Sequence, residues 1–71
     1  MAKTLLEQLR TQQNLTKAEL GRRSAVAAIY ISWAEQAPPR FIPFPPMLDR
    51  LARALGYLGD PADLLKEIGH E

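Results

Sequence analysis

The chain has 71 residues, a length that predicts one domain with a small core. It contains no cysteine, which excludes disulfides and thiolate metal sites, and its apolar share of 46% is too high for a disordered chain. The net charge of +1 is unevenly spread, because residues 1–59 carry eight Lys/Arg against four Asp/Glu and residues 60–71 carry one lysine against four carboxylates.

The basic body of the chain allows a nucleic-acid partner, although an ordinary mixed surface explains the same charges. No apolar run approaches the roughly 18 residues that a membrane-spanning helix needs. The first ten residues also lack the long apolar core of a signal peptide. We therefore expect a cytoplasmic protein with no membrane partner.

A first helix is predicted over residues 4–13. Thr4 and Glu7 have the spacing of a capping box, in which a hydroxyl and a carboxylate each accept a hydrogen bond from an unpaired backbone amide. Leu5, Leu6 and Leu9 then form an apolar stripe at helical spacing.

A second helix is predicted over residues 17–24, because Thr16 and Glu19 repeat the capping-box spacing. Gly21 falls inside this helix, where glycine costs about 1 kcal/mol relative to alanine. We expect the close approach of another backbone to explain it.

A corner at residues 25–26 separates this helix from a third, predicted over residues 27–36. The phase of the apolar residues requires it, since Leu20 cannot share one stripe with Ile31 and Ala34 on a single straight helix. Tyr30 is expected to face partly inward. The outward residues of the third helix are then Ala28, Ile29, Ser32, Trp33 and Gln36.

Residues 37–46 form a loop that holds five of the six prolines and is therefore stiff. We expect it to wrap around the domain and to insert Phe41, Ile42 or Phe44 into the core. A proline-rich ligand segment for aromatic grooves is the alternative.

Two further helices are predicted over residues 46–55 and 61–68. Gly56 ends the fourth, Asp60 caps the fifth, and Gly69 ends it. The sequence thus predicts an all-α fold of five short helices, with no strand, in a single domain over residues 1–71.

The run LTKAELGRRSAVAAIYISWAE, residues 15–35, resembles the helix-turn-helix of the phage λ-repressor/Cro (XRE-type) family. Further along, MLDRLARALG is similar to the fourth helix of that family and DPADLLKEIG to the fifth, so the resemblance covers about residues 4–68. It implies a λ-repressor-like domain that binds double-stranded DNA as a sequence-specific regulator, a small phage- or plasmid-type repressor or an antitoxin-like protein. It also implies a homodimer whose half-sites lie about one helical turn apart.

The resemblance assigns roles to individual residues. An arginine late in the first helix pairs with the glutamate that ends the third, which here are Arg10 and Glu35. The positions that face DNA bases are Lys17, Ala27, Ala28, Ile29, Ser32 and Trp33. Phosphate contacts are expected from Arg10, Thr16 and Arg40, and dimer contacts from Leu64, Leu65 and Ile68.

Several residues depart from the family pattern. Ala25 stands where glycine is usual, and a positive φ there would cost about 1 kcal/mol. Ser24 replaces an apolar residue, and Ala34 is small enough to leave space for Trp33 or Phe44. The base-facing positions are mostly apolar, and alanine and isoleucine can contact only thymine methyl groups there.

That apolar face supports an alternative function, a protein-interaction module that uses Ile29 and Trp33 as anchors. An enzyme is not expected. The single histidine, His70, lies next to the C-terminus, and the sequence shows no nucleophile–base set, no metal-ligand spacing and no phosphate loop. We therefore expect no cofactor and no metal.

Overall fold

The computed structural model describes residues 3–36 and 40–68. These residues form four α-helices, one 3-10 helix and one pair of two-residue strands. The α-helices are α1 (Leu5–Gln12), α2 (Lys17–Ser24), α3 (Ala28–Ala34) and α4 (Pro45–Leu55), and the 3-10 helix is Pro61–Leu65. Strands β1 (Lys3–Thr4) and β2 (Glu67–Ile68) pair antiparallel, with Lys3 opposite Ile68. The predicted helical fold is confirmed.

The C-terminal end of the domain corrects two details of that prediction. The fifth helix ends at Leu65 as a 3-10 helix, and the chain becomes extended at Lys66 (φ −72°, ψ 142°). The N–H of Leu5 donates to the carbonyl of Lys66 at 3.0 Å, which continues the β1–β2 pairing and ties both ends of the chain together. A strand pair therefore replaces the last predicted helical turn. Gly69 lies outside the described residues.

Side-chain caps start the first two helices. At α2 the box is complete, because the Thr16 hydroxyl accepts from the N–H of Glu19 and the Glu19 carboxylate accepts from the N–H of Thr16, each at 3.0 Å. The hydrogen bond from the backbone N–H of Thr16 holds the pKa of the Glu19 carboxylate below its usual value. At α1 the hydroxyl of Thr4 accepts from the N–H of Glu7 at 3.3 Å, so the hydroxyl half of the predicted box is present.

The corner between α2 and α3 explains three unusual residues. A Cβ on Gly21 would lie 2.6 Å from the carbonyl oxygen of Val26, which confirms the close backbone approach. Ala25 adopts the left-handed conformation (φ 60°, ψ 35°) that ends α2. Ser24 is buried, but its hydroxyl donates to the carbonyl of Leu20 at 2.7 Å, so a polar side chain is accommodated there.

The core is built where all the helices meet. Its fully buried apolar side chains are Leu6, Leu20, Ile31, Ala34, Leu51 and Leu64. Leu64 therefore packs inside its own chain and is not available as a dimer contact, which corrects the sequence prediction. Leu65 and Ile68 are only partly buried.

The loop before α4 also differs from its prediction. Ile42 is 68% exposed and Phe44 is 73% exposed, so neither enters the core, and Phe44 does not fill space at Ala34. Phe44 is the residue immediately before the first turn of α4, and Pro43 is the buried residue within the described loop segment 40–44. Phe41 is partly buried, because it packs against aromatic residues of α3 rather than against the core.

Arg10 joins three segments of the chain. Its Nε and Nη2 donate to the two carboxylate oxygens of Glu35 at 2.6 and 3.1 Å, and its Nη1 donates to the carbonyl of Leu15 at 2.8 Å. The two side chains are only 12% and 5% exposed. The hydroxyl of Thr4 adds a hydrogen bond to the backbone carbonyl of Glu35 at 3.1 Å. Together these contacts hold the end of α3 and the approach to α2 against α1.

The left-handed residue at the corner gives a stability prediction. Ala25→Gly should raise the free energy of unfolding by roughly 0.5–1 kcal/mol, because glycine adopts positive φ without steric cost. Gly56→Ala is the matched reverse change, since Gly56 has φ 73° and no neighbouring atom would lie within 4 Å of an added Cβ. It should lower stability by about 1 kcal/mol. Urea unfolding followed by circular dichroism measures both, and a loss of stability in Ala25→Gly contradicts the argument.

The buried ion pair gives a second prediction. Arg10→Met leaves the Glu35 carboxylate without its partner and should destabilise the domain by on the order of 3 kcal/mol. The double variant Arg10→Met/Glu35→Met removes the isolated charge as well, so it should be more stable than Arg10→Met alone. Thermal unfolding of the parent, Arg10→Met and the double variant tests this order. A double variant that is no more stable than Arg10→Met contradicts it.

Candidate nucleic-acid interface

The start of α2 and the outward side of α3 share a polar contact. Lys17, the first residue of α2, donates from Nζ to the hydroxyl oxygen of Ser32 on α3 at 3.2 Å. Lys17 is exposed and Ser32 is partly buried. The capping box at Thr16 defines the start of α2, and the Arg10 contacts hold both the approach to α2 and the end of α3. The two helices that this contact joins are therefore held by one guanidinium.

An apolar strip lies beside this contact, at the first turn of α3. Ala27 and Ile29 are exposed, with Ile29 at 53%, and Ala28 is partly buried. A shallow groove of about 420 Å³ runs from these residues back to α2; its lining comprises Ala18, Gly21, Arg22, Ala25, Val26, Ala27 and Ala28. The strip offers methyl groups and no side-chain hydrogen-bonding group.

Trp33 lies in an aromatic cluster that was not predicted from the sequence. The ring of Tyr30 stacks on Phe41 with centroids 5.0 Å apart and planes at 26°, and Trp33 lies 5.9 Å from Tyr30 and 6.4 Å from Phe41. Tyr30, which was expected to face partly inward, is 38% exposed. The sequence signal for this cluster was the three-residue spacing between Tyr30 and Trp33 on α3. Phe41 covers part of the outward face of α3.

The predicted phosphate contacts separate into two groups. Thr16 is exposed at the start of α2, and Arg40 is exposed with its guanidinium carbon 5.7 Å from the Trp33 ring centroid. The backbone N–H of Arg40 donates to the carbonyl of Trp33 at 2.9 Å. Arg10 differs, because Glu35 and the carbonyl of Leu15 already occupy its guanidinium. Its geometry fits a structural role better than a phosphate contact.

A second basic surface, which was not predicted from the sequence, lies at the C-terminal end of α2. Arg23, Arg50 and Arg53 border a shallow groove of about 300 Å³. Nε of Arg50 donates to the carbonyl of Ser24 at 3.0 Å, and Arg53 pairs with Asp49 at 3.1 Å. Cations at this end of a helix interact favourably with its exposed carbonyls, so Arg23 and Arg50 stabilise the end of α2.

The acidic C-terminal end is occupied by structural contacts. Asp63 accepts from the Tyr57 hydroxyl at 3.0 Å and pairs with Lys66 at 2.9 Å. Lys66 lowers the pKa of Asp63 most strongly, and the Asp63 carboxylate raises the pKa values of Tyr57 and Lys66. Asp60 caps the 3-10 helix by accepting from the N–H of Ala62 at 3.0 Å. Within residues 3–36 and 40–68 we find no group of three or more residues arranged to hold a metal ion.

Comparison with known protein families identifies the arrangement of the helices. The profile of a family described as a helix-turn-helix domain matches residues 4–65. Searches of curated proteins and of solved structures found no match. None of the described helices is long and apolar enough to cross a membrane. The match extends from the cap of α1 through the α2–α3 corner to the end of the 3-10 helix, and the chain therefore belongs to the helix-turn-helix domain family.

Proposed function

We propose that this chain is a DNA-binding transcriptional regulator that places α3 in the major groove of double-stranded DNA. The contact between Lys17 and Ser32 carries the proposal, because it brings polar groups from α2 and α3 together on one exposed surface. In the helix-turn-helix arrangement, the second helix of the pair contacts base edges while the first crosses the backbone.

The chemistry of this surface suggests how it reads bases. Lys17 has three N–H donors and uses one on Ser32, so two remain for acceptors such as O6 and N7 of guanine. The Ser32 oxygen accepts from Lys17, which leaves its hydroxyl hydrogen to donate. Ala27, Ala28 and Ile29 would contact thymine methyl groups. The combination favours a short site that contains both guanine and thymine.

Phosphate contacts would position the domain on the duplex. Thr16 is exposed at the N-terminus of α2, where anions are favoured. Arg40 supplies a second cation, which lies over the ring of Trp33 on the outward face of α3. Such contacts contribute affinity and fix the register, and they carry no sequence information of their own.

We further propose that the protein acts as a symmetric dimer and as a repressor or antitoxin-like regulator, because paired half-sites supply affinity that one small reading surface lacks. Leu64 is buried in its own chain, so the dimer would use the partly exposed Leu65 and Ile68 or other surface residues. The proposal includes the cytoplasmic location expected from the sequence, since the protein must share a compartment with DNA.

Lys17 gives a direct test of DNA binding. In gel-shift assays on the protein's own promoter region, Lys17→Gln should weaken binding severalfold and reduce the magnitude of the salt slope by about 0.9 if its ammonium reaches a phosphate. If Lys17 reads a base instead, the variant should lose discrimination against random DNA, by about 1–3 kcal/mol, with little change in slope. Lys66→Gln is the matched control, because Lys66 already pairs with Asp63. It should leave binding unchanged.

Two results would contradict the proposal. The first is that the parent protein binds no duplex DNA even at low salt. The second is that Lys17→Gln and Lys66→Gln bind with the same affinity as the parent, which would show that the start of α2 does not contact DNA.

Protein recognition is the second candidate function, and the exposure of Ile29 supports it. Trp33, the single tryptophan, lies on the same helix and reports on this surface. If the DNA-binding proposal is correct, the Trp33 emission should change when duplex DNA is added, because Arg40 above its ring becomes neutralised. Emission that responds to a protein partner and not to DNA would favour the second candidate.

A further inference from the structure

We propose that Tyr30, Trp33 and Phe41 form an aromatic clamp that positions the Arg40 guanidinium for a DNA phosphate. Trp33 and Phe41 are then positioning residues, not base contacts. The inference rests on the proposed function, since it assigns a role within the same DNA-binding surface. It also explains why two large aromatic side chains occupy the outward side of a helix that should read DNA.

The clamp joins two segments that are apart in sequence. Tyr30 and Trp33 belong to α3, whereas Phe41 follows the proline-rich segment. All three ring pairs have centroid separations between 5.0 and 6.4 Å, within the range in which aromatic rings attract each other. Phe41 makes contact with both rings of α3, so it holds its segment against the helix.

The backbone of Arg40 is fixed by the same arrangement. Its N–H donates to the carbonyl of Trp33 at 2.9 Å, which places Arg40 directly beside the end of α3. Phe41, the next residue, is held by Tyr30 and Trp33. Arg40 therefore starts from a defined position although the loop has no regular secondary structure at residues 40–44.

The side chain of Arg40 is oriented by Trp33. Its guanidinium carbon lies 5.7 Å from the indole centroid, within the distance of a cation–π contact. None of the ion pairs formed among residues 3–36 and 40–68 includes Arg40, and the residue is exposed. A cation held over a ring loses less side-chain freedom when a phosphate binds than a cation on a free side chain does.

This arrangement divides the outward face of α3 into two parts. The first turn of α3 and the Lys17–Ser32 contact are left for base edges. The later part, at Trp33, is partly covered by Phe41 and supports a phosphate contact. Base recognition is then expected to cover few base pairs, and Arg40 adds affinity that does not depend on sequence.

Two phenylalanines of the same loop provide the test. Phe41→Ala removes a ring of the clamp, whereas Phe44→Ala removes a ring that is 73% exposed and outside the clamp. Both are compared with Arg40→Gln and with the double variant Arg40→Gln/Phe41→Ala. The measurement is affinity for the promoter fragment and for random duplex DNA between about 50 and 200 mM salt, with circular dichroism to confirm that each variant is folded.

Arg40→Gln should reduce the magnitude of the salt slope by about 0.9 and weaken binding to both DNAs equally, with a loss about threefold larger at the low-salt end than at the high-salt end. Phe41→Ala should reproduce this change in slope although it removes no charge. Phe41→Tyr should restore the parent slope, and Phe44→Ala should keep it. The double variant should bind no more weakly than Arg40→Gln, since the clamp acts through Arg40.

A parent slope in Phe41→Ala overturns the inference, and so do effects of Arg40→Gln and Phe41→Ala that add in the double variant. Either result can occur while the parent protein still binds its promoter, which leaves the proposed function intact. Failure of the parent protein to bind any duplex DNA overturns the proposed function and, with it, the phosphate role of Arg40.

Discussion

The contacts of Arg10 set the geometry on which the rest of this small domain depends. One guanidinium, in the last turn of α1, reaches the carboxylate that ends α3 and the carbonyl that precedes α2. A buried ion pair of this kind often contributes little net stability compared with apolar residues of similar size. Its directional hydrogen bonds instead fix the ends of two helices. The distance between Lys17 and Ser32, on the surface proposed to contact DNA, depends on that orientation.

The corner between α2 and α3 sets the angle that the Arg10 contacts then hold. Gly21 lets the carbonyl of Val26 approach closely, and Ala25 turns the chain in the left-handed conformation. The cost of alanine there, about 1 kcal/mol, is a noticeable fraction of the stability of a domain of this size. Buried apolar side chains from α2, α3 and α4 offset it, and Arg50 binds the last carbonyl of α2. The corner is thus supported from the α4 side.

Charged and apolar side chains occupy different parts of the outward side of α2 and α3. Lys17 contacts Ser32 and Arg40 lies over the ring of Trp33, whereas the first turn of α3 carries alanine and isoleucine side chains outward. In the proposed DNA complex, this surface would gain affinity from phosphates and would read bases with few polar groups. Ile29 is exposed on the same surface and is therefore also available to a protein partner. Arg23, Arg50 and Arg53 border a separate groove between α2 and α4, where Arg50 binds the C-terminal end of α2.

From the sequence alone one could predict the helix starts at Thr4 and Thr16, the close approach at Gly21 and the corner after Ser24, because each follows from interactions between residues near in the chain. The pairing of Arg10 with Glu35 came from family resemblance rather than from the residues alone. The tertiary structure places Leu64 in the core, pairs residues 67–68 with β1, and stacks Phe41 on Tyr30 with Trp33 edge-on to it. It also brought Lys17 within hydrogen-bonding distance of Ser32. These features join residues far apart in sequence, and helical periodicity or capping patterns report only on neighbours within about one turn.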